Sequence, residues 1–232
     1  MELQDAPATY LFKLWPWIET NKIRIASGAG ILLVASGLVS FYSWQRDQKE
    51  LAAGIEFTQL AMTDARNVTP VQQAGLYWKL AQDNQNTIAG QRAFLQSATM
   101  LFAAGQYADA QTQFQQFLSQ FPDNFFAGQA ALGLAASLDA QGKGDLAATA
   151  YQKVISNYPD PVVASYAKFS LAQLDERQGK LPEALGLYEE IIRANPNGAL
   201  GSEAGLRAME LKTRQPSAAP AAATSAPFKL NR

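Results

Sequence analysis

The chain contains neither cysteine nor histidine. Without thiols there is no disulfide and no thiolate nucleophile. Without imidazole there is no histidine general base and almost no route to a zinc site. The lack of cysteine is compatible with any compartment, an oxidising one included. An excess of charge of either sign is also missing: 19 Lys and Arg stand against 20 Asp and Glu, a formal net charge of −1. No broad basic field exists to draw in nucleic acid. What remains is a 232-residue chain of ordinary globular balance, 48% hydrophobic and 17% charged.

A local absence is more informative. From Ile25 to Gln45 there is no charged residue. At a rise of about 1.5 Å per residue, some 20 residues cross a hydrocarbon core of roughly 30 Å. Lys22 and Arg24 flank one end, and Arg46 and Lys49 the other. Trp15, Trp17, Tyr42 and Trp44 lie where amphipathic rings favour the headgroup zone. Residues 23–44 therefore read as a transmembrane helix in contact with lipid. A cleaved signal peptide would have a shorter apolar run closed by a small-x-small site. Here Ser40, Phe41, Tyr42 and Ser43 follow, so an uncleaved anchor is expected. Residues 1–22 read as a short interfacial leader interrupted by Pro16. Lys13, Lys22 and Arg24 before the span, with the free N-terminus, outnumber Arg46 and Lys49 after it. That bias places the N-terminus in the cytoplasm and the larger C-terminal part outside it.

Beyond the span the chain keeps a ruler of 37 residues. Gly105, Gly142 and Gly179 obey it, as do Pro122, Pro159 and Pro196, and the aromatics Phe114, Tyr151 and Tyr188. A fixed period of this size means stacked supersecondary units. Each unit reads as helix, glycine turn, helix, proline. Small residues recur in the first helix at Ala98, Ala135 and Ala172, and in the second at Ala110, Ala147 and Ala184. In the second helix Phe117/Leu118, Val154/Ile155 and Ile191/Ile192 fall on the face of the aromatic. The proline stops the helix, and Asp123, Asp160 and Asn197 follow as candidate caps.

The fold class is thus all-α: an N-terminal transmembrane helix followed by an α-solenoid. Residues 45–87 read as a helical linker and degenerate first repeat, with helical patterns at 47–66 and 71–83. Tyr77 lies one period before Phe114, and Ala61 one period before Ala98. Residues 88–213 hold three repeats and a capping helix whose register continues with Ala204 and Leu206. Residues 214–232, rich in Pro, Ala and Ser, read as a disordered tail.

The small residue, turn glycine, alanine, aromatic and closing proline resemble the tetratricopeptide repeat. The period exceeds that family's common length and is similar to repeats of bacterial envelope proteins of the outer-membrane assembly and cell-division-coordinator type. The stretch LWPWIETNKIRIASGAGILLVASGLVSFYSWQRDQKELAA, with the repeats behind it, resembles the ancillary Sec translocon subunit family of bacterial inner-membrane proteins. That resemblance implies a single-pass protein of the inner (plasma) membrane with a periplasmic repeat domain. It also implies protein partners among translocon subunits and exported or envelope proteins.

By repeat-family position, the working surface would be a groove lined by the first helices. This implies Arg92, Leu95, Thr99 and Phe102 in the first repeat, then Gln129, Leu132, Ala136 and Asp139 in the second. Tyr166, Phe169, Gln173 and Glu176 follow in the third. Such a surface, with a single cation, suits an extended or helical segment of a partner. Leu95, Leu132 and Phe169 suit core packing equally well. Catalytic signals are poor. Gly142-Lys143-Gly144-Asp145 lacks the spacing of a phosphate loop. The acidic pairs Asp175/Glu176 and Glu189/Glu190 read as solvated faces. No enzyme, cofactor or metal is expected, and Asn67-Val68-Thr69 carries no weight as a glycosylation triplet before Pro70. A membrane-anchored adaptor with chaperone-like duties and a structural scaffold of an envelope assembly, possible as a homo-oligomer, both fit.

Overall fold

A computed structural model describes residues 6–62 and 68–214, with side chains from residue 16 onward. The tail and Asn67 of the glycosylation triplet lie outside the described residues. The described residues form nine helices and no strand: α1 (Ala6–Ala61), α2 (Pro70–Asp83), α3 (Ile88–Ala103), α4 (Tyr107–Gln120), α5 (Ala127–Ala140), α6 (Gly144–Asn157), α7 (Pro161–Arg177), α8 (Leu181–Ala194) and α9 (Ala199–Arg214).

Leader, apolar segment and the pattern that begins at 47 are one continuous helix, α1, of 56 residues. Pro16 lies inside it, where the sequence suggested an interruption. A proline removes one backbone donor, and the helix continues past it on the bonds of its neighbours. Ile31, Leu32, Leu33, Val34, Leu38 and Val39 are 65–73% exposed, so this apolar segment packs against no other part of the described chain. By length and composition the helix can cross a membrane.

The second helices obey the ruler to the residue. α2, α4, α6 and α8 each have 14 residues, and they begin at Pro70, Tyr107, Gly144 and Leu181. The first helices follow connectors of unequal length and start less regularly, at Ile88, Ala127, Pro161 and Ala199. Their buried alanines nonetheless keep the period, because packing rather than connector length fixes them: Ala98, Ala135 and Ala172 are each 0% exposed. Ala110, Ala147 and Ala184 face them, also at 0%. Two small side chains at one crossing let the helix axes close to the short end of the usual 8–10 Å range.

Three glycine turns join the helices within units. Gly105, Gly142 and Gly179 have φ of 78°, 74° and 77°. The residue after each glycine donates its amide hydrogen back across the turn: Gln106 to the Leu101 carbonyl, Lys143 to Leu138 and Lys180 to Asp175, at 2.9, 3.0 and 2.8 Å. This six-to-one bond closes a helix through a left-handed residue, which only glycine enters without steric cost.

Caps are less regular than the sequence suggested. Asp160 caps α7, accepting from the amides of Val162 and Val163, with Pro161 at the first helical position. Asp123 does not cap α5, because the connector there is longer. Phe126 stands at the cap position of α5 and gives no side-chain cap; Asn124 accepts from the Phe126 amide at 2.8 Å and donates to the Gln91 side chain at 2.7 Å. α2 begins with a capping box in which Thr69 and Gln72 each bond the other's backbone.

First helices of successive units touch one another, α3 with α5, α5 with α7 and α7 with α9. Second helices touch only the first helices beside them. The closer row lies inside the curve, so the first helices line the concave side. The end of α1 behaves as a first helix too, packing on α2 and α3. Here Ala53, 1% exposed, is the buried small residue, whereas Ala61 is exposed at the helix end. Phe57 packs on Tyr77, which is 2% exposed, with ring centroids 5.3 Å apart. At the other end Ala204 is buried in α9, and Leu206 is 69% exposed rather than part of the packed face.

The cores are stacked layers. Tyr77, Phe114, Tyr151 and Tyr188 are each no more than 3% exposed and sit at successive periods. Burying a ring of this size contributes roughly 2–3 kcal/mol.

Candidate functional site

The concave side carries two adjoining pockets. The first, about 240 Å³, lies between α3 and α5 and is lined by Leu95, Thr99, Phe102, Gln129, Leu132 and Ala136. Its floor is the Phe114 ring, seated against Gly133. A Cβ at Gly133 would come within 2.4 Å of that ring. The glycine is therefore what lets a large aromatic from α4 reach under the groove. Leu95 is 9% exposed and serves core and groove alike, while Leu132 is half-buried.

The second pocket, about 360 Å³, lies between α5 and α7 and shares Phe102 and Ala136 with the first. It is polar: Asp139, Tyr151, Ser170, Gln173 and Arg177 line it. One guanidinium nitrogen of Arg177 donates to both Asp139 oxygens at 2.7 Å. Burial pushes the Tyr151 hydroxyl up to about 12, helped by the Asp139 carboxylate and opposed by Ser170 and Arg177. The phenol is thus protonated across neutral pH, and its hydrogen bonds to Asp139 and Ser170 tie it into the pocket wall. The groove runs from an apolar end to a polar end with an ion pair at its rim.

Eight of the residues implied by repeat position line these pockets: Leu95, Thr99, Phe102, Gln129, Leu132, Ala136, Asp139 and Gln173. Four do not. The Arg92 guanidinium sits 4.8 Å over the Phe57 ring and ties α3 to α1. Tyr166 is 51% exposed outside the pockets. Phe169 is 8% exposed and packs edge-on against Tyr188, centroids 5.5 Å apart, so it belongs to the core. Glu176 lies beside the buried Tyr188 hydroxyl, whose pKa is raised by burial first and by this carboxylate second. Sequence reasoning missed Tyr151, Ser170 and Arg177. Tyr151 comes from a position assigned to packing, and Ser170 from one given no role. Arg177 stands 38 residues from Asp139, an opposite charge about one period away that offered a signal.

Three of the four acids in the acidic pairs lie near cations, and Asp175, 6% exposed, is buried rather than on the solvated face the sequence suggested. Glu189 bonds Lys212 at 2.8 Å, Glu190 bonds Lys168 at 2.7 Å, and Asp175 lies 3.9 Å from Lys180. Gly142-Lys143-Gly144 forms the turn between α5 and α6, with the Lys143 ammonium 3.4 Å from the Gln111 side chain.

Comparison with known proteins agrees with this architecture. Residues 95–161 and 132–199 match the family model described as tetratricopeptide repeat. Residues 95–199 thus carry tetratricopeptide repeats, a class whose members generally bind other proteins. No curated protein matches the chain. Among solved structures it is similar to "MamA RS-1 ArsTM double mutant", at 17% identity and a TM-score of 0.49. That likeness covers 71% of this chain and 97% of the other.

Proposed function

We propose that this protein is a membrane-anchored adaptor of the bacterial inner membrane that binds protein partners through its groove. The observation that carries this reading is the two-part groove, apolar between α3 and α5 and polar between α5 and α7, on a solenoid continuous with an apolar helix. The apolar end takes one or two hydrophobic side chains of a partner segment. The Asp139–Arg177 pair engages backbone or polar groups beyond them, with the Tyr151 hydroxyl behind it. Such a site binds and orients; it is not catalytic.

The resemblance of the N-terminal stretch to ancillary translocon subunits supports a finer role. The chain associates with the Sec translocon, N-terminus in the cytoplasm and repeats in the periplasm, and assists exported proteins. Crosslinking from residues 99, 129 and 173 in intact membranes tests this: translocon or envelope proteins are the expected partners, and their absence sinks the reading. A reporter fused to the C-terminus must be active only outside the cytoplasm.

One observation favours a second reading, a scaffold of an envelope assembly that self-associates through α1. Leu51, Ile55 and Met62 are 53–79% exposed and fall within one narrow stripe beyond the apolar segment. A monomer in mild detergent at micromolar concentration overturns it.

A further inference from the structure

Tyr42, Gln45, Arg46 and Lys49 are spaced i, i+3, i+4 and i+7, so they share one face of α1. That face looks onto the corner between α2 and α3, where Asn86 and Thr87 close a cavity of about 340 Å³. We propose that this cavity holds the headgroup of an anionic phosphoglyceride. The inference rests on the reading of α1 as a spanning helix.

Its chemistry is that of a phosphate-ester site. Both charged residues of the lining are cations, and among the described residues neither Arg46 nor Lys49 has an ion-pair partner. Glu50, next to Lys49, does not line the cavity, and its two oxygens are occupied by the Ile88 and Ala89 amides at 2.7 and 2.9 Å. Arg46 supplies a planar fork for two phosphate oxygens and Lys49 a point charge. Gln45 and Asn86 offer neutral donors suited to the hydroxyls or ester oxygens of a glycerol headgroup. Thr87 is wall rather than ligand. Its hydroxyl already donates to the Asn84 carbonyl at 2.8 Å and accepts from the Gly90 amide at 2.9 Å.

Position argues for a lipid over a free anion. The uncharged run ends at Gln45, so the cavity begins in the last turn of the apolar segment and extends one turn past it. In a bilayer that depth is the headgroup layer. Tyr42 lies at the membrane side of the cavity with its ring against the acyl–glycerol boundary. Ile88, 61% exposed beside Thr87, presents an apolar surface there. The headgroup would bridge α1 to the first repeat and fix how near the solenoid sits to the membrane.

The test uses the full chain in nanodiscs of phosphatidylcholine containing phosphatidylglycerol, released into mild detergent for native mass spectrometry. The wild type should retain one phosphatidylglycerol, and retain phosphatidylcholine at least tenfold less. The double variant Arg46→Gln/Lys49→Gln should lose that adduct. Arg46→Lys should keep part of it. Retention unchanged in the double variant, or equal retention of the zwitterionic lipid, overturns the site. Displacement of the lipid by millimolar inorganic phosphate overturns the lipid assignment in favour of a free-anion site. Flotation of wild type and double variant with vesicles separates the two levels. Failure of the wild type to float overturns the spanning reading and the site with it. Flotation of both, with lipid retention indifferent to substitution, overturns the site alone.

Discussion

Glu50, on the long N-terminal helix, accepts the amide hydrogen of Ile88 at the start of α3, 38 residues away, and its second oxygen takes that of Ala89. Two of the unsatisfied amides at a helix start are thereby met by a carboxylate, which also suits the positive end of the helix dipole. Thr87 meets a third, from Gly90. The long N-terminal helix and the solenoid are joined by a bond to backbone, independent of the side chains at 88 and 89.

Replacing Glu50 by Ala should therefore destabilise the solenoid by about 1–2 kcal/mol, the range of a lost cap strengthened by charge. Hydrogen exchange should speed at the Ile88 and Ala89 amides and leave those of α6 unchanged. Equal protection in the variant would show that the carboxylate bonds contribute nothing.

Gly133→Ala sets two effects against each other. Alanine in a helix interior is worth about 1 kcal/mol over glycine. Against this, its Cβ meets a Phe114 ring that is 3% exposed and must shift toward the apolar pocket. Overpacking of this kind costs about 1–3 kcal/mol, so net destabilisation is expected in chemical denaturation. The displaced ring should also fill the apolar pocket and weaken partner crosslinks from residues 99 and 129.

The Asp139–Arg177 pair lies at the groove rim, with the arginine side chain 54% exposed. A double-mutant cycle should give a coupling of only about 0.5–1 kcal/mol in stability, falling with salt. Partner binding should suffer more than stability in either single variant. A cycle in which stability alone responds would make the pair structural.

Asp175 is nearly buried, and burial raises its pKa above the usual carboxylate value, with Lys180 pulling the other way. Between its unfolded and folded pKa values the folded chain holds a proton that the unfolded chain has lost. This group's contribution therefore falls as pH rises through that window, just above the ordinary carboxylate range. Asp175→Asn should flatten this decline and match or exceed the wild type at neutral pH. Denaturation midpoints from acid to neutral pH would show it; a variant with the unchanged slope would refute it.

Much of this fold is legible in the sequence because one period recurs in residues whose roles are steric. A left-handed glycine, a crossing alanine and a core aromatic cannot be exchanged freely, so they mark the ruler. The ruler reaches beyond the units it was read from. Gly90 and Gly201, three periods apart, each sit where a Cβ would strike a backbone carbonyl, of Asn84 at 2.0 Å and of Asn195 at 1.9 Å. The connectors were not legible, because their lengths vary and the side-chain cap that Asp160 gives α7 has no counterpart at α5. The groove was half legible. Position along a first helix identified Leu95, Phe102 and Leu132, but not that Phe169 turns inward onto Tyr188. Nor could it show that second-helix Tyr151 reaches the polar pocket.

Helix α1 runs 56 residues without a break, about 84 Å at the usual rise, and its last turns are part of the first repeat. In the spanning reading there is no swivel between bilayer and groove. Rotating the helix about its axis turns the groove to a new compass bearing, and tilting it raises or lowers the groove like a boom. A protein embedded in the same membrane would meet the groove from one lateral direction only, and neighbours on the remaining sides would pass it unread.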